Sequence, residues 1–443
     1  MRIQLSEHFT YSKLFRFCIP SVVMLVFCSI YGVVDGLFVS RFVGKTAFAA
    51  INLIMPILMI IGGLGFMMGA GGTAVVAKTL GEKKNELASR YFSLFVYATA
   101  IAGAVAATLG VIFLEPLSRL LGAEGEMLEC CVRYGRIVLP AMPAFMLQNL
   151  FQSFFIVAEK PKLGLSVTVS AGIANIIFDA LLVAVLPFGL EGAAFATAIS
   201  QAVGGFVPFF YFFSKNDSLL SLTRTSFYRK ALVKAMTNGS SELMSNISSS
   251  VVTVLYNYQL MRFAGEDGIA AYGVIMYVSF IFIAMFIGYS VGSAPLISYN
   301  FGAKNTDELK NLFRKSTAIC FVAGATMTVS SLLLSVPLST LFAGYDEGLY
   351  KMTLYGLRIF SFSFFMSGFC IFGSSFFTAL NNGLASAAIS FLRTLVFQIL
   401  GVLILPIFFE LDGVWYSMLV AEILALITTV IFLIRYRKKY NYI

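Results

Sequence analysis

The stretch "SIYGVVDGLFVS", residues 29–40, places one carboxylate, Asp35, inside a long apolar run. The run from 14 to 38 is long enough to cross a bilayer, which takes roughly 20 apolar residues. A charged aspartate at the centre of such a helix costs about 2.5–3.5 kcal/mol on insertion scales. Ionisable groups inside a membrane are therefore functional by default. The stretch predicts a membrane-spanning helix that carries a functional acid.

The composition of the whole chain indicates a membrane protein with little room for a soluble domain. Of its 443 residues, 59% are hydrophobic and 12% are charged, and the mean hydropathy is +0.87. Soluble proteins carry about 25% charged residues. The six cysteines have no metal-binding or redox spacing, and the single histidine, His8, precedes the first span. These features exclude a histidine proton relay in the membrane and predict no cofactor.

Apolar runs between polar breaks predict an all-α polytopic membrane protein with twelve helices. Lysine and arginine are concentrated at both termini and in the even-numbered connections, which predicts that both termini are cytoplasmic. The net charge of +9 reflects this bias and requires no nucleic-acid partner. The predicted spans are 14–38, 47–77, 91–114, 134–158, 163–186, 190–213, 238–261, 270–298, 317–342, 356–380, 384–409 and 413–434.

The two halves of the chain are copies of one repeat. The tripeptide 116–118, Pro-Leu-Ser, recurs 221 residues later at 337–339. One offset held across six helices is evidence of duplication, because chance matches would not keep register. The same shift relates Arg41-Phe42 to Arg262-Phe263, Tyr134-Gly135 to Tyr355-Gly356, and Leu190-Glu191-Gly192 to Leu411-Asp412-Gly413.

Each repeat has an even number of spans, so both copies enter the membrane in the same direction. This arrangement predicts two six-helix lobes related by a pseudo-two-fold axis along the membrane normal, with a central cavity between them. We expect an N-terminal lobe at 1–213, a cytoplasmic linker at 214–235 and a C-terminal lobe at 236–443.

The copies differ at a set of polar residues that only the first half contains, namely Asp35, Asn175, Asp179 and Thr197. Asn175 and Asp179 are four residues apart and share a helix face. The depths of all four predict that they meet in the outer half of the N-terminal lobe. Two close carboxylates cannot both stay ionised without a cation, so the group can carry a proton or hold Na⁺. The structural alternative is interhelical hydrogen bonding that only stabilises the bundle.

Four segments together resemble the multidrug and toxic compound extrusion (MATE) family: "IPSVVMLVFCSIYGVVDGLFVSRFVGKTAFAAINLIMPI", "GAGGTAVVAKTLGEKK", "ANIIFDALLV" and "LEGAAFATAISQ". The resemblance covers essentially the whole chain and is closest to the bacterial branch of the DinF and MepA types. It implies a twelve-helix plasma-membrane exporter, expected to be a monomer, driven by H⁺ or Na⁺ entering as substrate leaves. It also implies that the cation-coupling residues are Asp35, Asn175, Asp179, Thr197 and Gln152, the last standing where relatives often have asparagine.

The chain departs from the NorM-type branch, which also uses carboxylates in the seventh and tenth helices. The tenth span here has no acid, and Glu242 does not align with the NorM position in the seventh. Glu242 either faces the cavity and attracts cationic substrates or serves as a cap or interface residue. Tyr256 and Arg393 are further candidates for the substrate cavity. Arg393 has a second interpretation, a structural ion pair with Glu422.

These observations predict a secondary active antiporter that exports amphipathic, cationic organic compounds, and not an enzyme. The alternatives are a lipid-linked oligosaccharide flippase of the same superfamily and, from a different class, a polytopic membrane enzyme. A major-facilitator transporter would carry a basic motif after the second helix, where this chain reads "KTLGEKKNE". An ion channel is disfavoured because repeats framing a one-sided acid pair favour alternating access. The sequence leaves open the substrate and the choice between H⁺ and Na⁺.

Overall fold

The computed structural model describes residues 3–186 and 188–443, and all regular structure in these ranges is helical. Three single π-helical segments interrupt the α-helices, at Val39–Val43, Ala180–Val185 and Leu392–Val396, and a short 3₁₀ turn lies at Leu139–Ala141. The α-helices are α1 Tyr11–Phe38, α2 Lys45–Gly81, α3 Asn85–Leu120, α4 Gly125–Val138, α5 Met142–Val157, α6 Pro161–Asp179, α7 Gly189–Phe213, α8 Arg229–Gly302, α9 Thr306–Ala343, α10 Glu347–Ala379, α11 Gly383–Phe391 and α12 Phe397–Tyr440.

Ten helical stretches of the described chain are long and apolar enough to cross a membrane. The longest, α8, has 74 residues, and a straight helix of that length would measure roughly 110 Å, far more than the ~30 Å hydrocarbon core. It is broken by non-helical backbone at Gly265, and α12 is broken in the same way at Glu410. Each of these helices therefore contains two arms, which gives twelve segments in all. That all twelve cross the membrane stays a prediction.

The contacts of α8 show that its two arms run back to the same end of the bundle. A Cβ placed on Gly239, in the first arm, would meet the carbonyl oxygen of Met67 in α2. A Cβ on Gly302, at the end of the second arm, would meet the carbonyl oxygen of Lys78, also in α2. The break at Gly265 is thus a hairpin turn between two helices.

The described linker is shorter than the sequence predicted. Helix α8 begins at Arg229, so the irregular segment runs from 214 to 228, whereas the prediction was 214–235. The predicted boundary followed where apolar residues begin, but a helix satisfies its own backbone hydrogen bonds and can extend beyond the hydrocarbon region. The linker is fastened to α3, since Thr223 N donates to Ser93 Oγ and the Thr225 hydroxyl donates to the carbonyl of Arg90.

The two lobes pack most closely at one end of the bundle, which we call the basic end because both termini and the lysine-rich even-numbered connections lie there. Gly71 of α2 faces Ala235 of α8, where an added Cβ would lie 1.9 Å from the carbonyl oxygen. Gly81 faces Tyr299 in the same way, at 2.0 Å. Backbones approach this closely in membranes where glycine removes the side chain. The described conformation is closed at the basic end.

Backbone conformation repeats along with sequence. Gly44 and Gly265 are 221 residues apart, and both have positive φ, 117° and 62°. Gly189 and Glu410 form a second pair at the same offset, with φ of 60° and 48°. The same connections turn in the same way in both halves, although glycine has been replaced by glutamate at the last position.

Candidate functional site

The two acids that the sequence singled out each lie next to a π-helical segment. Asp35 lies one turn before the end of α1, and the π segment Val39–Val43 follows. Asp179 is the last residue of α6, directly before the π segment Ala180–Val185. A π segment widens the helix locally and is frequent at functional sites.

Packing of α1 along α6 brings these acids together. Phe27 and Tyr31 of α1 lie against Gly172 of α6, where a Cβ would approach their rings to 2.5 and 3.0 Å. Both helices run away from the basic end, so one turn further along each of them Asp35 reaches the side of α6. There it lies beside Asp179 and Asn175, as the sequence predicted.

The acid pair is withdrawn from the surface. Asp179 is 0% exposed, Asn175 is 2% exposed and Asp35 is half-buried. Side-chain oxygens of Asp35, Asp179, Asn175 and Thr197 are buried without a hydrogen-bond partner among the described residues. Buried polar atoms are nearly always paired, so this concentration of unsatisfied oxygens in one place calls for a donor or a cation.

The oxygen chemistry of the site fits either a proton or Na⁺. A proton on one carboxyl would give a donor to the neighbouring acid, and Na⁺ takes carboxylate, amide and hydroxyl oxygens of the kind gathered here. No group of three His, Cys, Asp or Glu positioned for a metal occurs in the described part of the chain. The site holds two carboxylates, and its remaining oxygens come from Asn175 and Thr197.

Tyr134 of α4 is a site residue that sequence reasoning missed. Its ring is 2% exposed, and its hydroxyl lies beside Thr197 and within electrostatic range of Asp35 and Asp179. In the sequence it served only as a repeat marker. The signal that could have found it is a tyrosine hydroxyl on an apolar span at the depth of the acids.

Gln152 lies away from the acids. It is 8% exposed and is beside Cys28 of α1, seven residues before Asp35. Seven residues of α-helix rise about 10 Å, so Gln152 is two turns nearer the basic end. It lies along the same helix, α1, without contacting the carboxylates.

Glu242 lies in the first arm of α8, thirteen residues after the helix begins, so it is not a capping residue. It is half-buried, and the neighbouring Leu243 and Asn246 face Gly63 of α2. No cation or hydrogen-bond donor of the described chain contacts its carboxylate. The structure thus places it beside the boundary between the lobes.

At the position equivalent to Asp35, the C-terminal lobe has a neutral side chain that is hydrogen-bonded within the same lobe. Tyr256, at the position equivalent to Asp35, is 1% exposed and donates a 2.9 Å hydrogen bond to Gln398 Oε1. Its ring stacks on Tyr272 at 5.0 Å between centroids. Tyr256 therefore faces the interior of its lobe, and the described conformation does not expose it to a substrate cavity.

Arg393 forms the ion pair that the sequence offered as its second interpretation. Its Nε lies 2.9 and 3.1 Å from the two carboxylate oxygens of Glu422, and its terminal nitrogen lies 2.8 Å from one of them. The side chains are 13% and 1% exposed. This geometry commits the guanidinium to Glu422 instead of to a cavity.

The fold and the site define a polytopic helical membrane protein, built from two copies of one repeat, with a buried acid pair in the first copy only. Comparison with known families gives a match to the MatE profile twice, at residues 20–181 and 243–404. The chain belongs to the MatE family. The double match also confirms the internal repeat and the resemblance seen in the sequence.

Curated relatives and solved structures agree with this assignment. The chain is 24% identical over 436 residues to the multidrug export protein MepA of Staphylococcus saprophyticus, covering 96% of this chain and 94% of the relative. It is 25% identical over 419 residues to MepA of Staphylococcus haemolyticus, covering 94% and 91%. Among solved structures, an outward-facing MATE family transporter of the MOP superfamily matches with a TM-score of 0.91 at 22% identity, covering 97% and 96% of the two chains.

Proposed function

We propose that this chain is a secondary active antiporter that exports amphipathic, cationic organic compounds in exchange for H⁺ or Na⁺. The observation that carries the proposal is the pair Asp35 and Asp179, in which Asp35 Oδ1 and both carboxylate oxygens of Asp179 are buried without a hydrogen-bond partner among the described residues. A site of this kind gains a proton or Na⁺ from one side of the membrane and loses it to the other. The name of the MepA relatives, multidrug export protein, supports export of organic compounds.

Coupling follows from alternation between two states of the lobes. A state closed at the basic end and a state open there would load and release the ion on opposite sides. An ion that binds one state more tightly shifts the equilibrium, and substrate affinity must change reciprocally. The half-buried carboxylate of Glu242, close to the lobe boundary, is placed to attract a cationic substrate.

The bias of lysine and arginine supports an orientation in which the basic end faces the cytoplasm. The membrane that we propose for the protein is the plasma membrane. We propose that the protein acts as a monomer and has no catalytic activity. The flippase alternative would need basic residues in the cavity to hold anionic head groups, but Arg393 is paired with Glu422.

The proposal is tested with purified protein in proteoliposomes. Efflux of a fluorescent organic cation is followed while a pH gradient and a Na⁺ gradient are imposed separately. One of the gradients should drive transport, and dissipation of that gradient should depend on the dye. Movement of a lipid-linked sugar without consumption of either gradient would contradict the proposal and favour the flippase.

A further inference from the structure

The N-terminal segment 3–10 lies across the basic end and touches both lobes. Its apolar residues Leu5 and Phe9 are each 0% exposed and belong to a core cluster made mostly of C-terminal-lobe side chains. A segment that precedes the first span is therefore packed as part of the protein interior. We call it the strap.

The strap is fastened to the C-terminal lobe through Glu308, near the start of α9. Phe9 N donates to Glu308 Oε1 at 3.0 Å, and His8 Nδ1 lies 2.6 Å from Glu308 Oε2. The carbonyl of Phe9 accepts from Asn311 at 3.0 Å and from Lys315 at 2.6 Å. Four polar contacts to one helix fix this end of the strap to the C-terminal lobe.

The other end of the strap is fastened to the N-terminal lobe. Leu5 N donates a 2.8 Å hydrogen bond to Glu159 Oε1, in the connection between α5 and α6. Glu159 is 8% exposed, so this contact is shielded from water. Hydrogen bonds to a charged acceptor in such surroundings are among the stronger ones.

From this geometry we infer that the strap is a latch between the lobes, with Leu5 and Glu159 as the contact that opens. The two anchor points, Leu5 and Phe9, are only four positions apart, so the strap cannot follow both lobes when they part at the basic end. Its contacts with Glu308, Asn311 and Lys315 keep it on the C-terminal lobe, and the Leu5–Glu159 bond breaks. The latch favours the state closed at the basic end and thereby sets how often that end opens.

The inference rests on the proposed alternating-access function, and it is tested without transport. Spin labels are placed at the equivalent basic-end positions 86 and 307, through Glu86→Cys and Asp307→Cys, with Cys28 and Cys130 replaced by Ala. The distance distribution is measured for the full chain in lipid nanodiscs, in the parent and in variants, at several pH values and Na⁺ concentrations.

Glu159→Ala removes the acceptor, and Leu5→Pro removes the donor while keeping an apolar side chain. Each should raise the ratio of long to short distances by at least about tenfold, because each removes the hydrogen bond between Leu5 N and the charged Glu159 carboxylate. Glu82→Ala is the matched control, because Glu82 is an acid at the same end that pairs with Lys84 outside the strap. It should leave the ratio unchanged.

Two other results would overturn the inference, and they are distinguishable. If the parent shows a long distance under some condition but both variants leave its share unchanged, the latch fails and alternating access stands. If no condition or variant gives a second distance, alternating access fails together with the latch.

Discussion

At the scale of single residues, the two lobes differ in whether a buried carboxylate has a basic partner. Among the side chains that the structure describes, Asp35 and Asp179 of the N-terminal lobe lie side by side with no basic partner, whereas Glu422 of the C-terminal lobe is paired with Arg393. Two carboxylates need a mobile cation, and a carboxylate with a guanidinium does not. This difference supports the proposal that the first copy is the one that binds and releases an ion.

We expect Asp35→Asn to abolish gradient-driven export while leaving the protein folded, because the amide keeps the shape of the side chain but cannot ionise. Asp179→Asn should have the same effect, and the double variant should be little worse, since the pair acts as one unit. Thr197→Ala should only weaken coupling. The measurement is dye efflux from proteoliposomes, with elution volume and thermal unfolding as controls. Near-normal efflux by Asp35→Asn would show that its carboxylate is structural.

For the ion pair of the C-terminal lobe we expect the opposite pattern, a loss of stability. Arg393→Met leaves Glu422 buried and unpaired, and removing one partner of a buried pair costs about 3–5 kcal/mol. Replacing both residues, with Glu422→Leu added, should recover most of this loss. The midpoint of thermal unfolding in detergent measures both. A single variant as stable as the parent would mean that the pair contributes nothing.

At the scale of elements, the hairpin turns show where sequence reasoning succeeds and where it stops. Polar residues between apolar runs located the turns near Gly265 and Glu410 within a few residues. The non-helical backbone at Glu410, φ 48° and ψ −126°, could not be predicted, because glutamate rarely adopts it and only the glycine at the equivalent position 189 points to it. Such backbone costs of order 1–3 kcal/mol and persists only where the surrounding structure enforces it.

We therefore expect Glu410→Gly to stabilise the protein by about 1 kcal/mol, since glycine removes the strain of positive φ. Gly265→Ala at the other hairpin should destabilise it by a similar or larger amount, although open space surrounds that position. Opposite shifts in the midpoint of thermal unfolding would confirm that backbone conformation is the cause. Shifts of the same sign would point to a different cause.

The candidate site also contains residues that the sequence predicts and residues that it does not. Asp35, Asn175, Asp179 and Thr197 could be found from the sequence because they are polar residues in apolar helices at matching depths. Tyr134 could not, since a tyrosine in a membrane helix is common and its position beside Thr197 was visible only once α4 and α7 were placed in space. The π segments beside both acids also depend on three-dimensional packing.

At the scale of the whole molecule, duplication predicted the number of copies but not how they meet. The offset of 221 residues required two equivalent lobes, yet nothing in it specified close contact between α2 and α8. That contact depends on glycines 71, 81 and 239, and nothing in the sequence identified their partners. Small residues permit close packing with many partners, so the actual partner emerges from the fold.

We expect Gly71→Val to disfavour the state closed at the basic end, because its Cβ would collide with the carbonyl of Ala235. Overpacking of this kind costs typically about 1–3 kcal/mol. Met67 is 5% exposed, so a cysteine introduced by Met67→Cys should react slowly with a thiol reagent in the parent protein. The same cysteine should react faster in the Gly71→Val variant. Gly273→Ala, which meets nothing within 4 Å, is the control. Equal reaction rates in all three proteins would contradict the role of the glycine contact.

In each repeat, the half of the first helix that lies at the basic end packs against the opposite repeat. In α1, Cys18 and Val22 lie against Gly292 and Gly288 of the second copy, and the first arm of α8 lies against α2 of the first. Two identical six-span chains that packed in this reciprocal way would form a closed, symmetric homodimer. Each chain would cover the interface that the other leaves exposed. Fusion of two such genes would preserve every contact and free one half to lose its acids, which is the asymmetry that the present chain displays. We therefore expect one half of this molecule, expressed alone, to form a homodimer.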